Sequence, residues 1–409
     1  MSIRRRVAMA LCSLMPLLPG VLAGFDSAAS NNIAIYWGQN SINRADGQKR
    51  LATYCANSPV NIIPLAFLTT IKNPTSVNFA NAGDNCTVFP GTQLLRCPEI
   101  EADIQTCQSL GKTLLLSLGG ATYTEGGFTS PSEASTWADT LWAMFGPSSS
   151  SSTVLRPFGA AVLDGFDMDF EATSSNMAAF ASTLRSRMDA AQAATGKKYY
   201  LSAAPQCPFP DAAMGEMLGA VGFDFVSVQF YNNYCGATSY VAGSGGPGNF
   251  NFQRWDQWAR GGESVNKGVK VLLGIPGSAG AAGSGYVSGQ QLKAVVEYSR
   301  GFASFGGVMV WDMSQVYANT GFLDSIVSAL GGSLPPPTST TTTTTATRTS
   351  TTLSTVTTKT ATTTSSSASP TGSLVPQWGQ CGGNGYTGPT ACQPPYKCVY
   401  GGEWWSSCQ

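Results

Sequence analysis

Short apolar runs alternate with longer helix-patterned stretches from about residue 31 to residue 324. Eight runs read as strands: 33–37, 62–68, 113–118, 165–171, 199–204, 225–231, 269–274 and 307–312. Helical patterning occupies 43–55, 99–110, 132–145, 176–194 and 289–302 between them. Strands that alternate with helices imply a parallel sheet, and eight such units predict a (β/α)8 TIM barrel of the α/β class. The competing arrangement is a doubly wound open sheet, which normally carries a Gly-rich phosphate loop after its first strand. Here that strand runs into Trp37-Gly38-Gln39-Asn40, which is no such loop.

One run departs from the apolar rule. Asp164, Asp167, Asp169 and Glu171 stand at i, i+3, i+5 and i+7 within 162–171. From Phe166 onward acidic and apolar residues alternate strictly, and residues two apart on a strand share a face. Asp167, Asp169 and Glu171 therefore point one way, and Phe166, Met168 and Phe170 the other. In a barrel wall the bulky groups pack on the outer helices and the carboxylates look into a cavity. Most acidic runs are solvated faces. The flanking Val162-Leu163 and the interleaved aromatics argue against that here and for a catalytic carboxylate array. Asp164 falls out of phase with the inward face and reads as structural.

Composition narrows the chemistry. The 409 residues allow two or three domains. Lys+Arg and Asp+Glu both number 23 and only 11% of residues are charged, so nothing favours nucleic acid or an anionic membrane as partner. The absence of His excludes Ser-His-Asp and Cys-His catalysis and every His-ligated metal site. Hydrolysis by this chain must rest on carboxylates and hydroxyls, and no metal or cofactor is expected. Residues 1–23 read as a secretory signal: Arg4-Arg5-Arg6, an apolar stretch from Val7 to Leu18, and Val21-Leu22-Ala23 ahead of Gly24. One of the 11 Cys lies in that signal, and the other ten suit disulfides in an oxidising compartment. Asn85-Cys86-Thr87 is an N-glycosylation sequon, compatible with export.

Past residue 332 the composition changes abruptly. Pro335-Pro336-Pro337 opens a Thr/Ser-rich stretch, 333–373, which cannot form a core and reads as a disordered O-glycosylated linker. Residues 374–409 then carry Cys381, Cys392, Cys398 and Cys408, so two disulfides stand in for a core. Trp404 and Trp405 are adjacent and can hardly both be buried in so small a unit, which makes a binding platform the better reading.

The acidic stretch resembles the DxxDxDxE signature of glycoside hydrolase family 18, the chitinase family. Asn32-Ile33-Ala34-Ile35-Tyr36-Trp37-Gly38-Gln39-Asn40 is similar to the first strand of its plant and fungal class III branch. Leu116-Ser117-Leu118-Gly119-Gly120 is similar to the third-strand SxGG motif, Gln229-Phe230-Tyr231-Asn232 to the sixth strand, and Val310-Trp311-Asp312 to the eighth. The tail run Gln377-Trp378-Gly379-Gln380-Cys381-Gly382-Gly383-Asn384-Gly385-Tyr386-Thr387-Gly388-Pro389-Thr390-Ala391-Cys392, with Cys398 and Cys408 beyond it, resembles the fungal family 1 carbohydrate-binding module, the fungal cellulose-binding domain. Gly402 and Ser407 replace the Asn and Gln often found there, which leaves cellulose or chitin open as the module's ligand.

The resemblance implies roles. Glu171 would be the general acid and then the base; Asp169 would orient the substrate's acetamido N–H. Asp167 would share a proton or hydrogen bond with Asp169, and Tyr231 would donate to the acetamido carbonyl. Tyr36 and Gln229 would be polar contacts, Trp311 the apolar floor under a sugar ring, and Gly119 and Gly120 a close backbone approach to substrate. Implied disulfides are Cys55–Cys107, Cys86–Cys97, Cys207–Cys235, Cys381–Cys398 and Cys392–Cys408. Trp378, Trp404 and Trp405 would form the flat face of the module. Positions two apart on a strand lie about 6.6–6.8 Å apart at Cα, so Asp169 and Glu171 are side by side and cannot readily flank a bond as an ordinary retaining pair does. In family 18 the substrate's own acetamido group is the nucleophile. The whole chain thus reads as a secreted, monomeric chitinase, with residues 24–332 as its catalytic barrel, acting on chitin and chitin oligomers. The rivals are an endo-N-acetylglucosaminidase on N-glycans and a non-catalytic lectin-like or inhibitor barrel.

Overall fold

In the computed structural model the eight apolar runs form eight parallel strands: β1 Asn32–Ile35, β2 Ile62–Thr70, β3 Thr113–Gly119, β4 Gly165–Asp169, β5 Tyr200–Ala203, β6 Phe225–Gln229, β7 Lys270–Pro276 and β8 Phe305–Trp311. Neighbours in sequence are neighbours in the sheet, and β1 pairs with both β2 and β8, so the sheet closes into a barrel. The structure describes residues 24–56, 58–148, 153–243, 248–332, 374–375, 380–382, 389–402 and 405–408. The signal expected over 1–23 and the whole of the 333–373 linker thus lie outside the described residues, which fall into two units, 1–337 and 338–409.

The helices are α1 Leu51–Cys55, α2 Pro98–Ser109, α3 Pro131–Phe145, α4 Met177–Thr195, α5 Gly215–Ala220, α6 Phe252–Arg260, α7 Gly289–Arg300, α8 Met313–Ala318 and α9 Phe322–Ala329. The long ones stand where their periodicity places them. Local chemistry fixes their starts: Pro131 opens α3, the Ser130 hydroxyl accepts the Glu133 N–H at 3.2 Å, and Glu133 reaches back to the Thr129 N–H at 2.7 Å. The helix expected over 43–55 contracts to α1. Asn43 sits at φ +54° and Asn40 Nδ2 donates to the Arg44 carbonyl at 2.7 Å, which holds the segment before α1 in turns. The sequence reading does not include α5, α6, α8 and α9: α5 and α8 are too short to show a period, whereas α6 and α9 carry apolar stripes, Phe252, Trp255, Trp258 and Ala259 on one and Phe322, Ile326 and Val327 on the other.

Two apolar layers result. Phe166, Met168 and Phe170 face outward into the layer between barrel and helices, with the Trp142 ring 6.4 Å from Phe166 and Tyr123 4.9 Å from Phe170. Ile62, Leu115, Phe225, Leu272 and Met309 fill the barrel's interior. Phe25 closes its lower end: its ring lies 4.6 Å from Phe225 and 5.3 Å from Tyr200, and its N–H donates to Thr113 Oγ1 at 2.9 Å. The interior is therefore packed below and open only above, at the C-terminal ends of the strands.

All three disulfides of this unit join the implied partners, Cys55–Cys107, Cys86–Cys97 and Cys207–Cys235. In the second unit β9 Gln380–Gly382, β10 Cys398–Gly402 and β11 Trp405–Cys408 form an antiparallel sheet with β11 central. Cys381–Cys398 and Cys392–Cys408 staple it, around a small core of Val375, Cys381 and Cys408. Trp378, Trp404 and the side chain of Trp405 lie outside the described residues. Among the described residues no helix is long and apolar enough to cross a membrane.

Candidate active site

Strand β4 carries its carboxylates inward at alternate positions. Asp167 lies level with Ser117 on β3 and Ser202 on β5. Both hydroxyls donate to it, at 2.7 and 2.6 Å, and Tyr36, just past β1, donates at 2.7 Å. Asp167 is 0% exposed. Burial pushes its carboxyl above the usual range, while the three hydroxyl donors oppose the rise. Its hydrogen bonds thus come from the two adjacent strands and from Tyr36 across the barrel, where the sharing partner expected from sequence was Asp169.

Asp169, 3% exposed, accepts from Gln229 Nε2 at 3.0 Å. That nitrogen also donates to the Ala204 carbonyl at 3.0 Å, so both of its N–H groups are engaged and the amide's orientation is set. Burial, then the charges of Glu171, Asp167 and Asp211, hold the Asp169 carboxyl well above the ordinary carboxylate range. Strand β4 ends at Asp169, two residues earlier than expected, yet Glu171 still reaches the cavity, half-buried. Burial raises its pKa, the nearby Gln229 amide lowers it, and the Asp211 charge adds to the rise. Tyr231, 7% exposed, is raised well above its ordinary value by burial and then by Asp169 and Glu171, so its hydroxyl stays a donor.

These groups share one cavity of about 200 Å³ at the mouth of the barrel. Tyr36, Asp169, Glu171, Gln229, Tyr231 and Trp311 all line it. Trp311 ends β8 and stacks on Phe67 at 5.7 Å and 20°, with the Tyr36 ring 5.6 Å away. The indole is therefore braced from behind.

The glycines have a different task from the one expected. Gly119 (φ +107°) and Gly120 (φ +79°) stand behind the cavity, which Ala121 and Thr122 line instead. A Cβ on Gly119 would meet the Asp169 carbonyl at 2.5 Å, and one on Gly120 would meet the Phe67 ring at 2.8 Å. The Gly120 N–H donates to that same Asp169 carbonyl at 2.7 Å. The pair lets β3 close on β4 just where β4 presents Asp169.

Three contributors escaped the sequence reading. Ser202 had no mark of its own; only register sets it beside Asp167. Ser117 stood within the quoted Ser-Leu-Gly-Gly run, and its inward phase was the unused signal. Asp211 is 6% exposed, with the Gln206, Ala213 and Met214 N–H groups donating to it at 2.9, 2.9 and 2.6 Å. Nothing in its local sequence announces that it faces the β4 acids. Asp164 is structural: Leu114 N–H and Gln108 Nε2 donate to it at 2.9 and 3.0 Å, and Lys197 lies 2.9 Å away. Asn85 of the sequon is exposed at the end of a 3-10 turn, Ala80–Asn85, and its amide donates to Glu99 at 3.1 Å. Among the described residues, one group of three potential metal ligands lies close together, Cys381, Cys392 and Cys408, and its sulfurs are in disulfides.

A closed parallel barrel with a row of carboxylates beside Trp311 at its C-terminal mouth is an arrangement that suits a glycoside hydrolase. The chain belongs to the glycosyl hydrolases family 18, whose family model matches residues 32–301. A second model, the fungal cellulose binding domain, matches residues 377–405. Endochitinase 33 of Trichoderma harzianum is 55% identical over 322 residues, covering 78% of this chain and 98% of that relative. A class III chitinase of Arthroderma benhamiae is 49% identical over 328 residues, covering 78% and 92%. Among solved structures, a chitinase from Ipomoea carnea is 29% identical with a TM-score of 0.59, covering 73% of this chain and 100% of its own. A xylanase and alpha-amylase inhibitor protein from Scadoxus multiflorus matches equally well, at 29% identity and a TM-score of 0.59 over 73% and 99% of the two chains. The barrel by itself therefore does not separate enzyme from inhibitor.

Proposed function

We propose that this protein is an exported, endo-acting chitinase that hydrolyses β-1,4 links between N-acetylglucosamine units with retention, using the substrate's acetamido group as nucleophile. One observation carries the reading. Asp169 and Glu171 project from one strand end into a single cavity with Tyr231 and Trp311. Two acids on the same side of a bond cannot act as acid and opposing nucleophile. The nucleophile must then come from the substrate.

In this mechanism the sugar rests on Trp311. Tyr231 donates to the acetamido carbonyl and Asp169 accepts from its N–H, which aims the carbonyl oxygen at the anomeric carbon. Glu171 gives its proton to the glycosidic oxygen as the C–O bond breaks, and the carbonyl oxygen bonds to the anomeric carbon as an oxazolinium ion. Water then attacks that carbon from the vacated side and loses a proton to the Glu171 carboxylate; the bond from the anomeric carbon to the acetamido oxygen breaks, its electron pair returning to the acetamido group, and the β configuration is restored. Asp167, held by three hydroxyls, supports Asp169 from beneath. Burial and the Asp211 charge keep Glu171 protonated further up the pH scale, as acid catalysis near neutrality needs.

The chain divides into a signal (1–23), a monomeric catalytic barrel (24–332), a linker (333–373) and a surface-binding module (374–409). The two matched families support chitin or cellulose as the module's surface. Product analysis tests the whole reading. Colloidal chitin and soluble chitin oligomers are cleaved with the β anomer as first product by NMR, and fully deacetylated oligomers resist. An initial α product, or rapid cleavage of glucosamine oligomers, sinks the mechanism. Cleavage of N-glycans but not chitin assigns the enzyme to the endo-N-acetylglucosaminidases instead.

A further inference from the structure

We propose that Asn232 is a positioning residue that latches the loop after β7 against Tyr231 and so holds one wall of the active site in register with the reacting groups. The inference rests on the chitinase reading above for its activity readout, but not for its structural one.

The loop from Gly277 to Gly285 reads Gly-Ser-Ala-Gly-Ala-Ala-Gly-Ser-Gly, with no side chain larger than Ser. Such a segment has little apolar area to pack and much backbone entropy to lose, so its position must be set by hydrogen bonds. At its start the Gly277 N–H donates to the Trp311 carbonyl at 2.7 Å, and Ser278 Oγ bonds Gln315 Oε1 at 2.6 Å. At its end the hold is Asn232. The Asn232 side-chain oxygen accepts two successive N–H groups, from Gly283 at 2.8 Å and Ser284 at 3.2 Å, and its own N–H donates to the Ser284 carbonyl at 3.3 Å. Asn232 sits at φ +56°, where Asn is tolerated far better than most residues.

The latched segment lies close to the chemistry. Ala281, inside the loop, and Asn232 itself both line the catalytic cavity. Gly285 lies so close to Tyr231 that a Cβ on it would meet the Tyr231 Cα and Cβ at 2.6 Å. Release of residues 283–285 therefore frees the surface that fixes Tyr231 from one side. A shift of about 1 Å in a substrate-positioning group can cost up to roughly 100-fold in rate.

The test compares Asn232→Gly with Asn232→Asp in the full chain, on soluble N-acetylglucosamine oligomers. Gly removes the acceptor without straining the positive φ; Asp keeps an acceptor at the same place. Expected is a fall in kcat of about tenfold for Asn232→Gly, with KM changed less than threefold and Tm near that of wild type, and kcat largely restored in Asn232→Asp. A second measurement needs no variant: hydrogen exchange resolved to single amides shows Gly283 and Ser284 slower than Ala282. Asn232→Gly with kcat within twofold of wild type overturns the proposal. So does equal loss in both variants, and so does exchange at 283 and 284 as fast as at 282. Failure of the wild-type enzyme to cleave the oligomers at all sinks the chitinase reading, while the exchange comparison still decides the latch.

Discussion

At Glu171 the chemistry asks for a carboxyl that holds its proton until the glycosidic oxygen takes it, and the structure supplies burial and the Asp211 charge. Glu171→Gln keeps the shape and removes the proton, so kcat should fall at least roughly 10²- to 10⁴-fold in oligomer assays, with the complex still formed. Stability should move the other way. A carboxyl whose folded pKa is raised binds more protons folded than unfolded, so it costs stability as pH rises from the ordinary carboxylate range through its folded value. Thermal unfolding should therefore show Glu171→Gln gaining Tm over wild type at neutral pH and losing that gain near pH ~4. Asp211 offers a cleaner electrostatic test. Burial and the Asp211 charge raise Glu171, and Asp169, Gln229 and Tyr231 share its cavity, with no cation among the lining residues. Removing one negative charge lowers the Glu171 pKa, so Asp211→Asn should move the alkaline limb of the pH–kcat profile to lower pH. An unmoved limb would mean that Asp211 acts only through its turn.

Among the elements, β4 decides the most, because its two faces meet different surroundings. Its alternation sends Phe166 and Met168 into the helix layer and Asp167 and Asp169 into the barrel, and the element is rigid because both layers are filled. Its neighbour β3 shows how closely the wall must pack. Gly119→Ala forces a positive φ on a side chain and drives a Cβ into the Asp169 carbonyl. That strain should cost roughly 1–3 kcal/mol in denaturant unfolding. Because the displaced atom belongs to the acid-bearing strand, kcat should fall more than tenfold even at temperatures where the variant is folded. A variant that loses stability but keeps kcat would show that β4 tolerates the shift.

At the scale of the molecule, the barrel carries the chemistry and the small disulfide-stapled module is a separate unit. Deletion of residues 334–409 should leave kcat/KM on soluble oligomers nearly unchanged and lower both adsorption and rate on insoluble chitin or cellulose. Loss of activity on soluble oligomers would instead make the tail part of the active site.

The sequence by itself determined the barrel, the sidedness of the acidic strand and the order of the motifs, because period-two and helical patterns are local properties that tertiary packing reinforces here. It also carried Tyr36, Gln229, Tyr231 and Trp311 to one cavity, though only through resemblance to known strand ends. Tertiary structure alone decided which hydroxyls hold Asp167, since Ser117 and Ser202 meet it through strand register across 50 and 35 residues of chain. It also reassigned Gly119 and Gly120 from substrate approach to strand packing and brought in Asp211 as a fourth acid. Each of these depends on what lies opposite a residue in space. A one-dimensional pattern states which way a side chain points, and only the closed barrel states what it points at.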